Sequence, residues 1–131
     1  MPSLFSLAKD LTTTKVVLEN GLTVIINEDT NCECFDLCYL LITINIGSNN
    51  EPPGKKGLEH LYEHLSFRIK PSNNLKSFYD EMNQLGANFG ASTSYDTIKF
   101  YCKFPKANLE KILELESIRI SGIANIFWTK G

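Results

Sequence analysis

Both histidines of this 131-residue chain fall within five consecutive residues, at His60 and His64, and Glu63 lies between them. Apolar residues around them recur with the 3.6-residue spacing of a helix, and residues four apart on a helix share one face. Both imidazole rings can therefore reach a single ion. Glu63 lies close enough to take a proton from a water molecule at that ion. The spacing predicts a metal-dependent hydrolytic site on one helix.

The order H-x-x-E-H resembles that of the inverzincin peptidases, the family of pitrilysin, insulin-degrading enzyme and the mitochondrial processing peptidase. Five further segments resemble landmarks of this family and occur in the family's order. They are residues 18–24 (L-x-N-G-L-x-V), 46–51 (G-S-x-x-E), 57–59 (usually G-L-A), 85–97 (from L-G-A to T-S-x-D-x-T) and 113–120 (L-x-L-E-x-x-R-M). The resemblance extends from about residue 18 to the last residue.

This resemblance implies a zinc metalloendopeptidase. It assigns the binding of Zn²⁺ to His60 and His64 and the role of general base to Glu63. The family also holds extended peptide along a strand near the metal, and a peptide can bind such a strand by extending the sheet at its edge. A plain edge hairpin without a binding role is the alternative. The substrate-binding candidates on this strand are Asn88, Gly90, Ala91, Ser92 and Thr93.

The chain departs from the family pattern in two respects. Gly90 stands where the family usually has Asn. The family's third zinc ligand is a Glu roughly 75 to 80 residues beyond the second histidine, a position that falls past Gly131. A catalytic zinc site needs three protein ligands and an open position. We therefore expect a domain truncated before the third ligand, which a continuation, a second lobe or a subunit would supply; Glu114 or Glu116 could replace it from within the chain.

Three functions remain open on the sequence. The first is a zinc metalloendopeptidase that acts on peptides or unfolded protein segments with the help of a second lobe or subunit. The second is a catalytically inactive peptide-binding or assembly module, a type of subunit that the family also contains. The third is a truncated remnant of such a peptidase. Zinc stoichiometry and partner-dependent activity separate the first function from the others.

Composition excludes several other classes of protein. The net charge is −2, and Lys55-Lys56 is the only adjacent pair of basic residues, so we expect no nucleic-acid partner. The longest apolar run, residues 37–46, is too short to span a bilayer, so no membrane partner is expected. Residues 1–10 lack the pattern of a secretory signal. A cytoplasmic location is the default expectation, with an organellar one left open.

Three of the four cysteines, Cys32, Cys34 and Cys38, are crowded within seven residues, and Cys102 lies apart. A C-x-C-x-x-x-C cluster can bind metal, but it lacks the C-x-x-C spacing that zinc sites favour. We expect reduced, partly buried thiols and no disulfide framework.

The hydrophobic pattern and turn signals predict the order β-β-β-α-α-β-β-α, an α+β fold with helices packed on a largely antiparallel sheet. We expect one incomplete peptidase-type domain over residues 1–131. Asn20-Gly21 predicts a two-residue hairpin turn, and the histidine helix should bury its apolar stripe, Leu58, Leu61, Tyr62, Leu65 and Ile69. The predicted strands are residues 12–18, 22–27, 37–46, 88–94 and 97–104, and the predicted helices are 55–69, 75–85 and 105–122.

Overall fold

The computed structural model of this chain describes residues 11–29, 36–68 and 76–128. The helices and strands of these residues follow one another in the predicted order, β-β-β-α-α-β-β-α, so the predicted α+β class is confirmed. The chain divides into two compact units, Met1–Phe35 and Asp36–Gly131, and one domain over residues 1–131 stays a prediction. The elements are β1 (Leu11–Val17), β2 (Thr23–Asp29), β3 (Leu37–Ile44), α1 (Leu58–Ser66), α2 (Phe78–Gln84), β4 (Asn88–Thr93), β5 (Ile98–Pro105) and α3 (Leu109–Trp128), with 3-10 turns at Ser48–Asn50 and Lys106–Asn108.

The described part of the first unit is an antiparallel hairpin of β1 and β2. Its connection differs from the predicted two-residue turn. The backbone of Leu18 bonds to that of Leu22 at 2.9 Å, which leaves three residues in the loop. The last of them, Gly21, has a φ of 85°. A three-residue loop that ends in a left-handed residue also matches the twist of a hairpin, and glycine adopts that conformation without strain.

The second unit contains a three-stranded antiparallel sheet in the order β3-β5-β4. Its central strand, β5, alternates as predicted: Ile98, Phe100, Cys102 and Phe104 are buried, while the lysines and tyrosine between them are exposed. The buried face packs against α2 and α3. The resulting core cluster consists of Phe78, Met82, Cys102, Phe104, Ile112 and Leu115.

The turn between β4 and β5 is bound to the segment that follows β3. The N–H of Asn49 donates to the carbonyl of Tyr95 at 2.9 Å, and the Asn49 amide donates to Asp96 at 3.1 Å. Gly47 permits this approach, because a Cβ atom there would lie 2.4 Å from the backbone of Tyr95. The landmark segments at residues 46–51 and 85–97 therefore meet in space, and this contact requires the glycine at position 47.

All three helices differ from their predicted bounds, and α1 is shorter at both ends than the predicted residues 55–69. Helix α3 continues through Gly122 to Trp128, beyond the predicted end at residue 122. One glycine inside a helix costs only about 1 kcal/mol relative to alanine, so it does not end a helix by itself. Helix α2 begins after Ser77, whose hydroxyl accepts from the N–H of Asp80. The predicted start of this helix at residue 75 lies outside the described residues. No described helix has the length and apolar character needed to cross a membrane.

A buried ion pair lies on the inner side of α3, between Glu116 and Arg119. Only 1% of Arg119 is exposed. Its guanidinium lies 3.8 Å from the ring centre of Phe100, 5.0 Å from that of Phe78 and 5.8 Å from that of Phe67. The cation therefore joins α3 to the sheet, to α2 and to the residue that follows α1.

Burial shifts the titration of the groups around this pair. It raises the pKa of the Glu116 carboxyl and lowers that of the Arg119 guanidinium, and the attraction between the two charges opposes both shifts. Burial, with a smaller effect from Glu116, also raises the pKa of the Cys102 thiol to about 12. Nε and Nη1 of Arg119 have no hydrogen-bond partner among the described residues, and the ion pair with Glu116 is made through Nη2.

Replacement of Glu116 by Gln should therefore destabilise the fold, because it leaves a buried cation without its counter-charge. We expect a loss of about 3 kcal/mol in the free energy of unfolding, measured by urea denaturation. Glu114→Gln is the matched control, since Glu114 forms an exposed pair with Lys111 on the same helix. That variant should change stability by less than about 0.5 kcal/mol. Equal losses in the two variants would contradict the role of the buried pair.

Candidate active site

Helix α1 carries the candidate residues, and a carboxylate fixes its beginning. The N–H of Gly57 donates to both carboxylate oxygens of Glu51, at 2.9 and 3.1 Å. Gly57 has a φ of 89°, which the glycine accommodates without strain. A negative charge at this end of a helix is also favourable to the helix dipole. In the sequence, Glu51 is only the last residue of the landmark at residues 46–51. No sequence pattern predicts its contact with Gly57.

The structure brings the two histidines together on the exposed side of α1. Their Nε2 atoms lie 2.8 Å apart, and the ring centres are 4.5 Å apart. At this distance the two ring nitrogens are in hydrogen-bond contact. His60 and His64 thus direct the same ring atom at a common point, as residues four apart on a helix can.

These donors fit part of a zinc site. Zinc binds imidazole nitrogen at about 2.0–2.1 Å in tetrahedral sites, which places two such nitrogens about 3.3 Å apart, so the pair at 2.8 Å would open slightly to hold one ion. A third ligand is missing from the described residues, which hold no group of three metal-binding side chains. Glu114 pairs with Lys111 and Glu116 with Arg119, and neither forms a group of three metal-binding side chains with the two histidines. The role of the histidines as zinc ligands stays a prediction.

Glu63 lies on the inner side of α1, where only 9% of the residue is exposed. The hydroxyl of Thr93 on β4 donates to its carboxylate. Ser66, fully buried one turn later, donates to the Glu63 carbonyl at 2.6 Å. The expected burial of Leu61 is wrong, because 49% of that residue is exposed, and Ile69 lies outside the described residues. The buried face of α1 is partly polar, because it includes Glu63 and Ser66. The positions of the apolar residues alone therefore predict the wrong buried face.

The five substrate-binding candidates all lie on β4, which is an edge strand of the described sheet. Thr93 faces α1, and the structure bonds it to Glu63. Asn88, Gly90 and Ser92 pair with the exposed residues of β5 and lie on the other face. The sequence located the strand but could not distinguish its faces, since that needs the pairing with β5. Contact with substrate stays a prediction for all five.

A cavity of about 400 Å³ lies beside His64. Its walls are largely aromatic: Phe67 and Phe89 have ring centres 5.7 Å apart, and those of Tyr79 and Phe89 are 5.3 Å apart. Arg68, Ser77 and Gly90 complete the lining. A cavity of this size can take one side chain of a ligand that follows β4.

The cysteines form no metal site among the described residues. Cys38 is half-buried and Cys102 is buried, and both are free thiols. Cys32 and Cys34 lie outside the described residues, so the alternative that Cys32, Cys34 and Cys38 bind a metal stays untested.

Comparison with known proteins identifies the family of the chain. Residues 25–117 match the family model described as Insulinase (Peptidase family M16). The chain belongs to this peptidase family. It is 38% identical over 105 residues to the "Zinc protease PqqE" of Helicobacter pylori, a match that covers 76% of this chain and 22% of the relative. An "Uncharacterized zinc protease" of Rickettsia bellii is 26% identical over 98 residues, which cover 75% of this chain and 23% of that protein.

A solved structure has the same fold. The crystal structure of a protease from Helicobacter pylori superposes with a TM-score of 0.71 and is 32% identical in sequence. The match covers 83% of this chain and 25% of that one. The chain therefore spans about a quarter of the length of the relatives that it matches.

Thr93→Val tests the contact that holds Glu63. Valine keeps the shape of threonine but removes the hydroxyl, which leaves a buried carboxylate oxygen without its donor. We expect a loss of about 1–3 kcal/mol in the free energy of unfolding. Thr93→Ser, which keeps the hydroxyl, should recover most of it. Ser92→Ala on the exposed face of the same strand is the control and should be nearly neutral. A Thr93→Val protein as stable as the Ser92→Ala protein would show that the bond does not support the fold.

Proposed function

We propose that this chain provides the two-histidine part of a zinc metalloendopeptidase site together with its general base. The observation that carries the proposal is the convergence of the His60 and His64 Nε2 atoms on the helix whose inner face holds Glu63. Membership of the insulinase peptidase family, and the name "zinc protease" carried by the relatives, support it.

Each residue has a distinct role in this proposal. His60 and His64 hold Zn²⁺, which when bound supplies a Lewis acid that polarises the scissile carbonyl and promotes ionisation of water. Glu63 accepts the proton of the attacking water and later delivers it to the leaving amine. Thr93 keeps the Glu63 carboxylate in one orientation by its hydrogen bond. The edge of β4 binds the peptide as an added strand, which aligns the backbone with the site.

The third zinc ligand comes, in our proposal, from a continuation of the chain, a second lobe or a partner subunit. Its absence from the described residues supports this, since two histidines alone bind zinc weakly. The same observation favours a second candidate function, a peptide-binding module without catalysis. The β4 edge and the neighbouring cavity belong to the described residues and need no metal to exist.

The isolated chain should bind Zn²⁺ weakly, through His60 and His64. We expect a measurable titration by isothermal calorimetry that is lost in the His60→Ala/His64→Ala variant, because no other described group offers comparable ligands. Glu63→Gln is the control and should retain binding, since Glu63 bonds to Thr93 and is not assigned as a ligand. Zinc uptake by the double variant equal to that of the unmodified chain would refute the assignment.

Peptide hydrolysis should be negligible for the chain alone and should appear when a longer chain or a partner supplies a Glu ligand. In that state Glu63→Gln should keep zinc but lower kcat by about 10²- to 10⁴-fold, the usual contribution of a general base. Hydrolysis of a fluorogenic peptide and zinc content are measured on the same samples. Full activity in the Glu63→Gln protein would leave the peptide-binding function as the better account.

A further inference from the structure

The outer face of β4, opposite α1, has an unusual cross-strand pair. Gly90 lies directly across from Tyr101 of β5. A Cβ atom at position 90 would lie 2.5 Å from the Tyr101 hydroxyl oxygen, 2.7 Å from Cζ and 3.0 Å from Cε2. The phenol ring therefore lies over β4 in the space that any other side chain at this position would fill. It places a hydroxyl group on the strand that forms the edge of the sheet.

Two lysines flank this tyrosine on the same face of β5. Lys99 pairs with Ser92 of β4, and Lys103 pairs with Asn88. Both lysines are exposed, and the described residues provide no ion-pair partner for either. The three residues are spaced two apart, so their side chains leave the sheet on one side. The small residues of β4 in front of them leave these donors uncovered.

A peptide strand added at β4 would lie about 4.8 Å from β4 and about 9.6 Å from β5. Long side chains on β5 approach such a strand when the intervening residues are small. Every second peptide side chain would face the lysines, and the others would face the aromatic cavity beside His64. Hydroxyl and ammonium groups donate hydrogen bonds, and the ammonium groups attract negative charge.

We propose that Tyr101, with Lys99 and Lys103, forms an outer wall that selects extended peptides carrying acidic side chains on that face. This selectivity rests on the peptide-binding edge of the proposed function, and it deepens that function by naming a substrate class. Gly90 has a definite role here, because its missing side chain admits the Tyr101 ring. Gly90 stands where the family usually has Asn, and in this chain the Tyr101 hydroxyl occupies the space of that side chain.

The test measures binding, without zinc, of two fluorescein-labelled peptides by fluorescence anisotropy. One alternates valine with glutamate, and the other has glutamine in place of glutamate. Alternation presents the acidic side chains on one face of the bound strand. The glutamate peptide should bind about three- to tenfold more tightly at low salt, the size expected for two exposed charge pairs, and added salt should reduce the difference.

Variants separate the wall from general charge effects. Lys99→Gln/Lys103→Gln should abolish the preference, while Lys55→Gln/Lys56→Gln, with the same loss of charge before α1, should retain it. Tyr101→Phe should weaken binding of the glutamate peptide about threefold, as expected for one exposed hydrogen bond. Gly90→Ala should do the same by displacing the ring, since the atoms it meets are the far end of a side chain.

The outcomes distinguish this inference from the function on which it rests. Equal binding of the two peptides, or a preference that survives Lys99→Gln/Lys103→Gln, overturns the acidic selection and leaves the peptide-binding edge in place. Binding of neither peptide overturns both. Zinc chemistry does not enter the measurement, so failure of the metal assignment has no effect on its result.

Discussion

The candidate site depends on the hydrogen bond between Thr93 and Glu63, which joins α1 to β4. A carboxylate at the boundary of a helix and a sheet loses most of its contact with water, and it needs a donor to offset that loss. Thr93 supplies the donor, and it thereby fixes which side of α1 faces the sheet. Successive helix positions differ by about 100°, so an inward Glu63 leaves His60 and His64 near the exposed side. The exposure of Leu61 is a consequence of the same rotation.

Both ends of α1 are supported by further contacts. Glu51 holds the backbone where the helix begins. Phe67, just after the helix, packs near the buried Arg119 and the Phe78 ring, so it belongs to the core that α2 and α3 share. Side chains for catalysis need positions that vary little, and contacts of this kind provide them. The helix is therefore positioned by carboxylates and an aromatic stack as much as by its own short apolar stripe.

The sequence was most informative where one physical rule decides the outcome. The alternation of β5 predicted its buried face correctly because a central strand covered on one side must alternate. The position of α1 followed from the apolar residues that recur at helical spacing around His60 and His64. The inner face of α1 could not be predicted, because Glu63 is buried through a residue thirty positions away. The contact of Tyr101 with Gly90 also required the register of two strands, which no local pattern contains.

The two faces of β4 have separate consequences for function. On the inner face Thr93 orients Glu63, and that contact matters to chemistry only when a metal ion has its full set of ligands. On the outer face Gly90 admits Tyr101, and a peptide added to the edge would meet that residue whether or not a metal is bound. In the proposed function, peptide binding and hydrolysis are thus physically separable. A protein that kept the edge but lost its third zinc ligand would remain a selective peptide-binding module, whereas one that lost Gly90 would keep its general base and change its preference among peptides.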